Sequence, residues 1–164
     1  MIWVWTLLEG LGLGALLFPY CLIGIRNGAV GMVYLYDKEV QKRCVELGLT
    51  TPEKIKKRAM IFKIGGLAFY VAYVLAFVYA VNGARGFTEG FLQTFVILSV
   101  CNVIDRIFVD ELWVCHTKAW VIPGTEDLAP YIKTKDKVFK WLFGTVGMAI
   151  VSVVLAGITA LILK

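Results

Sequence analysis

Histidine and serine are nearly missing from this chain. His116 is the single histidine, and Ser99 and Ser152 are the only serines among 164 residues. One histidine excludes a bis-histidine haem within one chain. The helical neighbours of His116 at three and four residues are Leu112, Trp113, Ala119 and Trp120. None of them is a metal ligand, so no zinc site is expected there, and no cofactor is expected anywhere in the chain. Both serines fall inside apolar runs and read as small packing residues rather than nucleophiles. The four cysteines, Cys21, Cys44, Cys101 and Cys115, form no CxxC pair and read as free thiols. Cys115 stands beside His116, but adjacent helical residues do not face each other. Gly10, Gly12 and Gly14 lie in an apolar run with no strand before them, so they are not a phosphate-binding loop.

Charge is scarce too: 18% of residues are charged against 59% hydrophobic. A soluble domain of this size needs more polar surface. No apolar run alternates in the manner of a strand, which argues against a barrel. Met1–Trp5 carries no basic residue and is a poor signal peptide. Trp3 and Trp5 suit interfacial anchors.

What remains is four long apolar runs, at about 3–25, 59–81, 91–109 and 138–163. A bilayer crossing needs roughly 20 apolar residues. Each crossing must also satisfy its own backbone hydrogen bonds, which a helix does. The expectation is therefore an all-α integral membrane protein: one polytopic domain over 1–164, built as a compact bundle of four transmembrane helices. Its partners are the lipid bilayer and, through seams of small residues, a second copy or a larger membrane complex.

The formal net charge is +5. Its distribution reads as topology. Arg26, Lys38, Lys42, Arg43, Lys54, Lys56, Lys57 and Arg58 fall in the first loop, 26–58. Lys118, Lys133, Lys135 and Lys137 fall in the second, 110–137, with Lys140 just after it. The turn around Asn82-Gly83-Ala84-Arg85-Gly86 holds one basic residue. The positive-inside bias then puts both long loops in the cytoplasm and both termini outside. Neither loop interleaves aromatic and basic residues, so no nucleic acid is expected as a partner.

Local signals refine this frame. Val33, Val40, Cys44 and Leu47 recur at helical spacing and predict an amphipathic helix on the membrane surface, stopped by Gly48. Thr51 and Pro52 predict the cap and first turn of a helix running into the second span. Gly10 and Gly14 are spaced for close helix contact. Ala68, Ala72, Ala76 and Ala80 predict a second packing seam, and Thr145, Ala149, Ser152, Ala156 and Thr159 a third. Pro123-Gly124 fits a type II turn, with Thr125 as the cap of a short helical turn. The loop around them reads as folded back on the membrane face.

Chemistry concentrates in the third run. Asn102, Asp105, Arg106, Asp110 and Glu111 arrive before its apolar pattern ends. Ionisable groups in a span usually face a partner helix or a water-filled cavity. Ser99, Asn102, Arg106, Asp110, Trp113 and Thr117 follow steps of three and four and form one α-helical stripe. Arg106 and Asp110 can pair at i,i+4, and such a pair can also merely lock helices with Arg106 snorkelling outward. Counted from Phe91, Asp105 lies about 21 Å into a core of about 30 Å. Glu9, counted from Trp3, lies about 9 Å below the same face, so the two differ in depth by about 12 Å, too far for a direct pair but placed to be two stations on one polar path.

The ligand-binding candidates are thus Asn102, Asp105, Arg106, Asp110, Glu111, His116 and Glu9. The leading functional expectation is binding or transport of a small amphiphilic or ionic ligand from the cytoplasmic leaflet, beneath the 113–131 loop. Asp105 and Asp110 would hold cationic groups or protons, Arg106 would balance charge, and Asn102 would orient the ligand. Two alternatives stand beside it. One is a membrane enzyme acting on lipid headgroups through Asp110, Glu111, His116 and Glu126. The other is a scaffold or accessory subunit. A glutamate in the first of four helices resembles the small multidrug resistance transporters, but in Glu9 and the helix count alone. Long basic loops depart from that pattern, and the family is not adopted.

Overall fold

The computed structural model describes residues 1–162, so Leu163 and Lys164, placed above in and after the last span, lie outside the described residues. The described residues are helical, with no strand. Four helices are long and apolar enough to cross a bilayer: α1 (Ile2–Ile25), α3 (Pro52–Val81), α4 (Gly86–Val114) and α5 (Thr134–Ile162). A short α2 (Lys38–Glu46) lies between the first two.

Three helices are longer than their apolar runs. Lys54–Arg58 are helical, as the Thr51-Pro52 start predicts, and Asp110–Glu111 and Lys135–Lys137, placed above in the second loop, are helical too. Hydropathy marks where side chains prefer to sit, whereas backbone hydrogen bonding continues until a residue stops it. The stops are local. Gly83 and Gly86 take φ of +65° and +77° in the turn between α3 and α4. The start of α3 is capped by Thr51, whose Oγ1 accepts from Lys54 N at 3.4 Å, with Pro52 in the first turn. Gly48 (φ +70°) closes α2: its N–H donates to Val45 O and that of Leu49 to Cys44 O. This is a Schellman end.

Helix α4 is the centre, with α1 packed on one side and α5 on another. Glycine lets α1 come close. A Cβ on Gly10 would lie 2.7 Å from Val100 Cβ, and one on Gly14 would lie 2.9 Å from Ile104 Cβ. On α5, Ser152 and Ala156 are fully buried, while Thr145 faces outward. The alanine seam of α3 is not where the spacing predicts it. Ala68, Ala72, Ala76 and Ala80 are all exposed. The opposite face of α3 turns inward instead, because Val74 and Val78 bury there and Tyr73 Oη donates to Glu9 O at 2.8 Å. Small residues permit a close approach but do not compel one.

The predicted surface helix also differs. It is shorter, and its apolar side is covered by protein. Val33, Val40 and Cys44 are buried with Tyr36, Trp120, Ile122 and Tyr131, while Leu47 is exposed. The two long loops therefore fold onto each other as one cap over the ends of the helices. Arg43 meets Asp127 at 3.5 Å, Lys133 meets Asp37 at 3.7 Å, and Tyr36 Oη donates to Trp120 O at 2.5 Å. Gly124 takes φ +84°, as the third position of a type II turn requires. Thr125 does not cap the short turn after it. Its buried hydroxyl donates to Ile122 O at 2.8 Å and sits 3.1 Å from Tyr131 Oη.

Candidate functional site

Beneath this cap lies a cavity of about 730 Å³. Its walls come from all four long helices. Leu16, Leu17, Tyr20 and Cys21 belong to α1, and Phe62, Gly66, Phe69 and Tyr70 to α3. Asp105, Arg106, Val109 and Asp110 come from α4, and Phe139, Lys140, Phe143 and Met148 from α5. Tyr36, Trp120, Tyr131 and Ile132 of the cap close one end. Phe69, Phe139 and Phe143 line the cavity yet stay 47%, 63% and 67% exposed, and Leu16, Tyr20 and Leu35 in its wall are exposed as well.

The charged groups sit where α4 changes its winding. Up to Ile104 the helix is α-helical, and from Asp105 to Val114 it is π-helical. Cys115 N bonds back to Asp110 O, five residues earlier. The continuous α-helical stripe predicted from Ser99 to Thr117 is therefore broken at Asp105. The end of α3, Leu75–Val81, is wound the same way, so the winding alone does not single out this site.

Arg106 binds both acids, one through each terminal nitrogen: Nη2 to Asp105 and Nη1 to Asp110. Lys140 Nζ reaches the same Asp110 oxygen at 3.2 Å. The cavity thus carries two carboxylates, one guanidinium and one ammonium, each within reach of an opposite charge. The Arg106 side chain is only 16% exposed. Removing one partner of so buried a cluster strands the others, which costs far more than the pairs contribute as a set. Two nitrogen donors in the wall, Arg106 Nε and Trp120 Nε1, are buried without an acceptor.

Three of the sequence-predicted residues, Asp105, Arg106 and Asp110, come together at the cavity. The other four do not line it. Asn102 is buried at the α4–α5 crossing, where its Oδ1 would lie 2.9 Å from a Cβ on Gly144. Glu111 pairs with Lys137 at the end of α4. His116 is exposed, its Nδ1 2.6 Å from Glu111 O. Glu9 is buried at the far end, where Asn82 Nδ2 donates to it at 2.9 Å and to Gln93 Oε1 at 3.1 Å. Between Glu9 and Asp105 stands an apolar layer of Leu13, Val74, Ile97 and Leu98, each no more than 1% exposed. The single polar path suggested by depth counting is interrupted there.

Lys140 was legible in the sequence only as part of the charge asymmetry. Its signal as a site residue was a lone cation following Val138 and Phe139 inside an apolar run. Tyr20, Tyr36 and Trp120 gave no such signal, since aromatic residues near a membrane face are common. Burial pushes the Tyr36 hydroxyl above its ordinary value, with Tyr131 adding to it. Tyr36 stays a neutral donor at physiological pH. Burial also raises the Cys115 thiol. All four cysteines are free. No family model, curated protein or solved structure matches the chain.

Proposed function

We propose that this protein lies in a membrane and holds a small amphiphile in the cavity beside Asp105, Arg106 and Asp110. The ligand enters from the inner leaflet. One observation carries the reading: an apolar cavity of about 730 Å³ whose buried wall contains an ion cluster. Ligand sites combine an apolar enclosure with a few convergent polar groups, and they run from about 300 to 1,000 Å³. Ionisable groups inside a span mark functional sites by default. The apolar layer through Leu13 and Ile97 supports binding at one leaflet over passage to the other. The headgroup-enzyme alternative needs His116 and Glu126 at the site. His116 is exposed, and Glu126 Oε2 accepts from Gly124 N at 2.8 Å; neither lines the cavity. Binding is the reading kept.

Gly66 offers the test. It lines the cavity, and a Cβ there meets nothing within 4 Å. Gly66→Phe fills the space without a backbone clash. Protein extracted gently from its own membrane is expected to carry an amphiphile detectable by mass spectrometry. Gly66→Phe loses it while still unfolding in one cooperative transition. Equal occupancy in the wild type, in Gly66→Phe and in Asp105→Asn/Arg106→Ala would end the proposal.

A further inference from the structure

We infer that a second site, a groove between α1 and α3, holds the phosphate head of a net-negative membrane phospholipid. It needs α1 and α3 to cross a bilayer, but not an amphiphile in the larger cavity. The groove encloses about 300 Å³. Its polar groups are Tyr20 and Asn27 around the end of α1, Tyr34 in the loop that follows, and Arg58 on α3. A close approach shapes it. A Cβ on Gly31 would lie 2.3 Å from Gly24 O, so the loop lies backbone to backbone on α1. Beside Gly31, Val30 O accepts from Arg58 Nη1 at 3.3 Å. Phe62 packs against Tyr20 and Tyr34, with ring centroids 5.2 and 5.3 Å away.

Charge names the occupant. Among the described residues, Arg58 is the one charged side chain in the wall, and it forms no ion pair. The larger cavity is the reverse: each of its charges has an opposite within reach. Arg58 is exposed, and one bond to Val30 leaves other guanidinium N–H groups free for a two-point grip on phosphate oxygens. Arg26, Lys54, Lys56 and Lys57 flank the groove in sequence. All four are exposed, and none is in an ion pair among the described residues. Elsewhere on the cap side several bases are paired, as Lys42 is with Glu46 and Arg43 with Asp127. A cluster of free bases beside a span attracts anionic lipid heads. A soluble phosphate ester offers the same anion. The wall favours a lipid, because Ile23 and Ile61 are exposed in it and suit the start of acyl chains.

The test uses the full chain in phosphatidylcholine nanodiscs. A small share of the lipid is photoactivatable phosphatidylglycerol or, in parallel, photoactivatable phosphatidylcholine with the same chains. Cross-links to groove peptides are read by mass spectrometry. Phosphatidylglycerol is expected to label the groove about fivefold more than phosphatidylcholine. Arg58→Gln keeps a donor for Val30 O but no charge, and should remove most of that excess. Lys56→Gln lies outside the groove wall and should change it far less. Inorganic phosphate at constant ionic strength should leave the labelling in place.

Equal labelling by the two lipids overturns the inference, and so does equal loss in Arg58→Gln and Lys56→Gln, which means diffuse attraction by the basic run. Displacement of the label by inorganic phosphate makes the ligand a free phosphate and the lipid assignment wrong. The comparison of the two lipids on the wild type needs no variant to fold. None of these outcomes bears on the larger cavity.

Discussion

Two polar clusters sit inside the helices of this protein, one toward each end, and they differ in kind. At the turn end, the Asn82 amide donates to the Glu9 carboxyl and to the Gln93 side-chain oxygen. None of these residues lines the cavity. At the cap end, Asp105, Arg106, Asp110 and Lys140 form a charged set beside open space. An isolated acid with an amide partner is a packed joint between helices. A charge-balanced set on the wall of a cavity is a place where something can bind. Polarity within an apolar helix therefore does not by itself identify a site. The neighbouring volume does.

The comparison can be broken most forcefully at Arg106. Arg106→Met leaves Asp105 and Asp110 buried without their shared cation, and it should cost about 3–5 kcal/mol. The midpoint of thermal unfolding in detergent reads this. Neutralising the acids as well, in Asp105→Asn/Arg106→Met/Asp110→Asn, should recover much of the loss. If the single variant is as stable as the wild type, the cluster is hydrated and the contrast fails.

The turn end should respond less. Asn82→Leu strands the Glu9 and Gln93 side-chain oxygens, at about 1–3 kcal/mol, without changing ligand occupancy. Smallest of all is Glu9→Gln. A glutamine oxygen still accepts from Asn82, so the change should stay below about 1 kcal/mol and leave occupancy intact. Loss of bound amphiphile in Glu9→Gln would show that the two ends are coupled after all.

Much of the helix plan was legible. The apolar runs found each long helix, Thr51-Pro52 and Gly48 marked true boundaries, and Gly10 and Gly14 marked a true contact. Which face of a helix turns inward was less legible. The alanines of α3 and the serine and alanine of α5 give similar patterns, yet the first set is exposed and Ser152 and Ala156 are buried. A stripe of small residues records that a close contact is sterically possible. What occupies the other side depends on a different helix. The candidate site divides in the same way. Asp105, Arg106 and Asp110 stood out because ionised groups are rare in such a run. Tyr36, Trp120 and Lys140 did not, because each is ordinary in its own loop or helix end.

From the residues alone follow four helices able to cross a bilayer, their approximate positions, and the clustering of charge late in the third. Those are properties of local composition, and they need no knowledge of neighbours. The tertiary structure alone decided that the two basic loops close into a cap, that α4 unwinds into a π-helix at Asp105, and that a cavity opens beside it. Each of these depends on where distant segments meet, and free volume between helices leaves no mark on any one of them.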